Sequence, residues 1–237
     1  MDTAARKTIY YKFLTEDSLG PASVWNWGPY LPKNGKPGAW TPWIKTLEAC
    51  RSGYHYTSFA YWRNHISHSL FVFEAHPDAV QRDGGDKFVT QCGRLVAKVK
   101  TWNDENLRLF AADCAERVLG LFEMEFPNDK CPRHVIEVAR LYAMGGATRN
   151  QLHDAFRNAN MAAAGVSGTY RTRVARAAAR AAASAANAAA HAAAYYTAVH
   201  ARAAASAAAY HTSLEEKWQD DTLAKRLGLT ASTEQSR

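Results

Sequence analysis

Residues 175–209 consist mostly of alanine, and this tract restricts the fold more than any other part of the sequence. Larger side chains interrupt it at steps of three and four, which is close to the period of an α-helix. The interrupting residues are Arg176, Arg180, Ser184, Asn187, His191, Tyr195, Val199, Arg202 and Ser206. They fall on one side of the helix, so the opposite side is almost pure alanine and lets another helix approach closely. We therefore expect a long helix that acts as a scaffold or an interaction surface.

The same tract does not have the composition of a membrane span or a signal peptide. Arg176, Arg180, His191 and Arg202 recur through it, and each of these side chains would be costly in hydrocarbon. The sequence therefore predicts no membrane partner.

The cysteines predict reduced thiols rather than disulfides or a metal site. None of the four has CxxC spacing, which is what a zinc or redox motif would require. They are Cys50, Cys92, Cys114 and Cys131. Free thiols are typical of the cytoplasm, so we expect a cytoplasmic protein without a bound metal.

The composition changes near Trp102, which predicts two domains, residues 1–102 and 103–237. Six of the seven tryptophans lie at or before Trp102, and most of the alanine lies after it. The first part contains β-branched and aromatic segments, bounded by turn residues. Strands are expected at 7–14, 54–58, 69–75 and 94–102, with a Pro-, Gly- and Trp-rich loop at 20–43, a turn at 33–36, a short helix at 44–50 and a turn at 82–86.

From Asn103 onward, apolar residues recur at threes and fours, which is typical of amphipathic helices. Asn103 can cap the first helix, Pro132 suits the first turn of the second, and Thr148 with Gln151 forms a capping box for the third. A fourth helix continues through the alanine tract, with residues 215–227 as its end or as a separate helix. The expected fold class is α+β: a small β-rich N-terminal domain followed by an all-helical bundle with a long Ala-rich helix.

The charge balance favours an acidic partner. The chain has a formal charge of +7 and an isoelectric point near 9.3, which suits an acidic protein surface or a nucleic acid. The densest basic patch begins the alanine tract and comprises Arg171, Arg173, Arg176 and Arg180. These arginines can bind a partner, or they can keep a helix that has little other charge soluble.

The second half contains a specific order of motifs. Segments 107–123 and 132–140 come first, a helix end at Gly145 follows, and an alanine-rich helix comes last. In this order the chain resembles the immunity-protein family encoded near bacterial polymorphic toxins. The resemblance implies a helical domain that binds a partner or neutralises a toxin, with Arg133 and Arg140 among its partner-binding residues. The charged and thiol residues that it places on facing helices are Asp113, Cys114, Glu116, Arg117, Arg133, Glu137 and Arg140.

The first half resembles a domain of phage and bacterial proteins on three short motifs. They are Tyr11-Lys12 on the first strand, Cys50 with Gly53, Tyr54 and His55, and Asp86-Lys87. With Thr57 and Ser58 after His55, the segment is also similar to ADP-ribosyltransferase folds, where such residues hold a nicotinamide ribose. This resemblance implies an NAD-using enzyme in which His55, Thr57, Ser58 and Glu74 are catalytic. The alternative is a half-buried strand with its polar face in water.

A further interpretation of the first half is nucleic-acid binding. Tryptophans interleaved with lysines can stack bases and hold phosphates, although the same residues suit a small core with a solvated rim. The candidates are Trp25, Trp27, Lys33, Lys36, Trp40 and Trp43.

These patterns together predict a cytoplasmic, immunity-like interaction protein from a phage or mobile element, whose helical domain binds an acidic protein partner. No cofactor is expected unless the first domain uses NAD. The two alternatives are an ADP-ribosyltransferase-like enzyme and a nucleic-acid-binding protein.

Overall fold

The computed structural model describes residues 9–48, 51–165, 170–190, 205–206 and 212–229. The chain divides into two compact units, which meet in sequence between Lys100 and Thr101. The first, the sheet unit, contains an antiparallel β-sheet, and the second, the helical unit, ends at Leu229. The predicted α+β fold class is confirmed.

The described part of the sheet unit has six antiparallel strands in the order β4-β5-β2-β1-β3-β6. Their bounds are β1 Tyr10–Leu14, β2 Tyr54–Ser58, β3 Ser69–Ala75, β4 Gln81–Asp83, β5 Phe88–Thr90 and β6 Gly93–Lys98. The β4–β5 hairpin occupies the region where the sequence indicated only a turn. All three residues of β4 are exposed, so the strand has no apolar alternation that a sequence pattern could reveal.

The predicted turn at residues 33–36 is confirmed. Lys33 and Lys36 form an antiparallel bridge, and Asn34 and Gly35 between them have φ values of 53° and 74°. Asn and Gly tolerate this left-handed backbone better than other residues, which is why the pair is typical of tight hairpin turns.

The predicted helix at residues 44–50 is wrong in its described part, residues 44–48. The Ile44 N–H donates to the Gln91 carbonyl at 3.0 Å, and Glu48 forms a bridge with Ser52. Arg82 also donates to the Leu47 carbonyl at 3.1 Å. The Glu48 N–H donates to the Ser52 carbonyl at 2.9 Å, so it cannot donate to the Ile44 carbonyl as the repeating backbone bond of a helix requires.

Aromatic rings dominate the core of the sheet unit. Tyr56 stacks on Phe73 with a centroid distance of 4.6 Å, and Trp27 meets Phe73 edge-on at 6.2 Å. The buried cluster comprises Leu14, Trp27, Tyr54, Tyr56, Phe71, Phe73 and Leu95. Such rings contribute both apolar burial and specific ring geometry, so they hold the loop that carries Trp27 against the sheet.

The helical unit contains five described helices, which we number in chain order. They are α1 Asp104–Glu125, α2 Cys131–Ala143, α3 Arg149–Gly165, α4 Tyr170–Ala190 and α5 Thr212–Leu227. The predicted caps are confirmed. The Asn106 N–H donates to Asn103 Oδ1 at 2.9 Å, while Thr148 and Gln151 exchange bonds between their N–H groups and side chains, as a capping box requires.

Helix α4 packs against α1, α2 and α3. Its alanine side is buried as predicted. The fully or almost fully buried positions are Ala175, Ala178, Ala179, Ala181, Ala182, Ala183, Ala185, Ala186 and Ala189. Small side chains allow three helix neighbours to surround one helix closely. The parts of the predicted alanine helix at residues 191–204 and 207–211 lie outside the described residues.

Candidate functional site

Two arginines of the helical unit share one carboxylate. Arg140 on α2 donates to Asp113 Oδ1 at 2.8 Å and to Glu116 Oε2 at 2.6 Å, both on α1. Arg226 on α5 donates through Nε to Asp113 Oδ2 at 3.1 Å. Asp113 is largely buried, so this network is a charged connection among three helices.

Arg133, the other arginine that the resemblance assigns to partner binding, is also paired within the unit. Its guanidinium donates two bonds of 2.7 Å to the Glu123 carboxylate. This bonding lowers the pKa of Glu123. Arg133 and Arg140 therefore connect α2 to α1, and any contact of theirs with a partner would compete with these internal bonds.

A buried acid anchors α5. Glu215 is 4 % exposed and accepts a bond of 2.8 Å from Gln219. The Arg117 guanidinium lies 3.5 Å from the Glu215 carboxylate and 5.2 Å from the centre of the Trp218 ring. The sequence gives no signal for this contact, because α1 and α5 are far apart along the chain.

The predicted basic patch lies on α4. Arg173 and Arg180 are exposed and seven residues apart, which places them on the same side of the helix. Arg176 lies between them and is half-buried, and its Nε has no hydrogen-bond partner in the described part of the chain. Arg171 belongs to the same helix, but its side chain lies outside the described residues.

The sheet unit contains a cleft of about 1210 Å³ beside β1 and β2. Among the described residues, β1 and β2 pair at Tyr10–Ser58 and Tyr11–Thr57, whereas the pairing of β1 with β3 continues to Leu14. Lys12 lies beyond the last β1–β2 pair and donates through Nζ to the His55 carbonyl at 2.6 Å.

Two basic groups in the cleft have lowered pKa values. Burial lowers the pKa of Lys12 to about 8. Burial, followed by the charges of Lys12 and Lys87, lowers the pKa of His55 to about 4, so this imidazole is neutral near pH 7. Lys12 was not among the predicted site residues. The sequence signal that could have indicated it is a lysine inside an otherwise apolar strand.

The structure brings together only two of the four residues predicted to be catalytic. His55 and Thr57 line the cleft, whereas Ser58 and Glu74 are absent from its described lining. Ser58 is buried on β2 and its Oγ has no partner within the described residues. The Glu74 carboxylate binds Arg94 at 2.7 Å. An enzymatic role for this set stays a prediction.

The residues predicted to bind nucleic acid have different surroundings. Trp27 is 1 % exposed, and the Arg94 guanidinium covers the Trp40 ring at 4.2 Å. Trp25 and Trp43 are exposed, as are Lys33 and Lys36 at the hairpin turn. The buried and covered rings already have protein neighbours on their faces, and nucleic-acid binding stays a prediction.

The described residues contain no group of three or more His, Cys, Asp or Glu side chains that could hold a metal ion. Cys92 and Cys131 are free thiols, Cys114 is buried, and Cys50 lies outside the described part of the chain. Within the described ranges, none of the helices combines the length and apolar character that a bilayer crossing needs.

Comparison with known proteins identifies one family. The family model described as "Imm-5 like putative immunity protein" matches residues 97–226, a range that includes the described parts of α1 to α4 and most of α5. No curated protein and no solved structure matches the chain.

Proposed function

Because the chain belongs to the Imm-5-like immunity protein family, which implies a protein partner, we propose that its helical unit binds an acidic protein and neutralises it. The surface that we assign to this contact is the exposed side of α4, with Arg173, Arg176 and Arg180. The observation that carries the proposal is the excess of positive charge on α3 and α4.

The charge of the helical unit is unevenly distributed. From Arg149 to Ala190 the sequence has six arginines and one acid, Asp154. Helix α1, in contrast, has six acids and two arginines. An acidic partner would be attracted to the α3–α4 side of the unit and repelled by unpaired carboxylates elsewhere.

The acids of α1 are largely compensated inside the unit. Glu123 binds Arg133, Asp113 and Glu116 bind Arg140, and Asp104 binds Arg108 at 3.1 Å. Arg180, by comparison, is exposed on α4 and forms no ion pair with the described residues. Its charge is therefore available for an intermolecular contact.

The alanine face supports this use of α4. Burial of nine alanines against three helices fixes the position of the helix, so its exposed arginines are presented from a rigid element. A preorganised surface loses less conformational entropy on binding than a flexible one.

The proposal includes a cytoplasmic location and an origin in a phage or mobile element. The free buried thiol of Cys92 supports the first, and the resemblance of the first half to phage and bacterial proteins supports the second.

The test is affinity capture from the native host, followed by binding kinetics with the captured protein. We expect the Arg173→Gln/Arg180→Gln double variant to reduce the association rate constant about tenfold at low salt, because steering charges act mainly on association. The matched control is Lys217→Gln/Lys225→Gln, which removes the same charge from exposed positions of α5.

Equal reductions of the association rate constant by the two double variants would show that only net charge matters. That result would refute the assignment of the binding surface to α4. Capture of RNA or DNA alone, with an affinity that falls steeply with salt, would instead favour the nucleic-acid alternative. An acidic protein whose association depends on the α4 arginines alone would support the proposal.

A further inference from the structure

The cleft of the sheet unit is positively charged, with no acid among its described lining residues. Its described lining includes Lys12, Arg51, Lys87, His55 and His65, and no aspartate or glutamate. A cleft lined by one sign of charge focuses the electric field and concentrates ligands of the opposite sign, so the composition points to an anionic ligand.

Lys12 is the buried cation of this cleft. It is 8 % exposed, and among the described residues its ammonium donates one hydrogen bond, to the His55 carbonyl, and forms no ion pair. Its Nζ also lies 5.4 Å from the centre of the Trp27 ring. An ammonium can donate three hydrogen bonds, and a buried charge without a counter-ion is unfavourable. A bound anion would supply both missing contacts.

Two acids that contact lining residues of the cleft are already paired. The Glu48 carboxylate lies 3.1 Å from the Arg51 guanidinium. Asp86, which precedes Lys87, accepts a bond of 3.2 Å from Asn64 and lies 3.5 Å from His65 Nε2. Lys87 is half-buried and has no such carboxylate contact among the described residues. Both Lys12 and Lys87 depress the pKa of His55, which indicates that their positive charges act on the same space.

One wall of the cleft is aromatic. Trp25 and Tyr30 lie nearly parallel, with their centroids 5.9 Å apart, and Tyr54 meets Trp25 edge-on at 5.4 Å. All three rings line the cleft, and Trp25 keeps about a third of its surface exposed. An exposed indole in the same cleft as the cations suits a ligand that combines a planar ring with a negative charge.

We propose that this cleft binds a nucleotide, with the phosphate at Lys12 and Lys87 and the base against Trp25. His55 and Thr57 also line the cleft on β2, and the Thr57 hydroxyl already donates to the Ser58 and Asp86 carbonyls, so His55 is the polar side chain of β2 that we assign to the sugar. This site belongs to the sheet unit, outside the family match at residues 97–226, and is independent of partner binding by α4.

The experiment is isothermal titration calorimetry of the full chain with AMP, adenosine and inorganic phosphate as separate probes. We expect AMP to bind more tightly than either fragment. Lys12→Met, which keeps the apolar stem but removes the ammonium, should weaken AMP binding about tenfold or more, and Lys87→Met by several-fold. Lys98→Met is the matched control, since it removes an exposed lysine on β6 of the same unit, outside the cleft lining, and should leave AMP affinity unchanged.

Lys12→Met also removes the donor to the His55 carbonyl, so the folding of this variant must be checked by circular dichroism. If Lys12→Met does not fold, Lys87→Met provides the second test. Trp25→Leu should weaken AMP binding while leaving that of inorganic phosphate unchanged. Undetectable AMP binding at millimolar concentration would overturn the proposal. Equal affinities for AMP and inorganic phosphate, or unchanged AMP affinity in both lysine variants, would overturn it as well.

Discussion

The close packing of α4 can be tested by enlarging one of its alanines. Ala182 is 0 % exposed and lies in the middle of a helix that contacts α1, α2 and α3. Ala182→Leu adds three carbon atoms where the neighbouring helices leave no surface accessible to solvent. Inserting methylene groups into a packed core costs about 1–3 kcal/mol, and we expect this loss in the free energy of unfolding.

Urea unfolding followed by far-UV circular dichroism measures this loss, because most of the helical signal comes from the helical unit. With an m-value near 2 kcal/mol/M, the midpoint should fall by about 0.5–1.5 M. Asn187→Leu is the matched control, because Asn187 is exposed on the same helix and surface changes usually stay within about 0.5 kcal/mol.

A midpoint unchanged in both Ala182→Leu and Ala185→Leu would refute the reasoning. Such a result would mean that the alanine side of α4 has room for larger side chains, and that its composition reflects helix propensity rather than close approach of the neighbouring helices.

Three further predictions concern other contacts. Asp113→Asn should reduce the stability of the helical unit by about 1–3 kcal/mol in thermal unfolding, because Arg140 and Arg226 lose their shared carboxylate; an unchanged melting temperature would contradict this. Thr148→Ala should cost about 1 kcal/mol in urea unfolding through loss of the α3 cap, whereas Thr148→Ser should be nearly neutral. The pKa of His55 is lowered to about 4 from 6.5, so the folded state binds fewer protons than the unfolded state between these values. Stability of the sheet unit should therefore fall as the pH decreases from 6.5 to 4, and a slope that is unaltered by His55→Gln would contradict the assignment.

The candidate interaction surface divides the predicted arginines into two groups. Arg133 and Arg140 hold α2 against α1 through carboxylates, so substitutions there would change the fold and binding together. Arg173 and Arg180 are exposed on α4, so substitutions there test binding more directly. This distinction explains why the binding experiment uses the α4 pair.

Much of the helical unit could be predicted from the sequence because its signals are local. The Asn103 cap, the Thr148–Gln151 capping box and the alanine periodicity each depend on residues within one or two helical turns. The strands with strong β composition, such as β3, could be predicted for the same reason. The helix expected at residues 44–50 failed because Ile44 bonds to Gln91, which no local pattern indicates.

The sites were decided by tertiary structure, because their contacts join residues that are remote in sequence. Arg226 meets Asp113 across 113 positions, and Lys12 meets His55 across 43. The sequence by itself determined the residue types, the basic excess of α3 and α4 and the helical face that carries Arg173 and Arg180. Only the fold determined that Arg133 and Arg140 have internal carboxylate partners and that Glu74 lies outside the described cleft lining. It also determined that Lys12 is buried with no carboxylate partner among the described residues. Burial and charge pairing depend on which elements pack together, and that packing is a property of the whole chain.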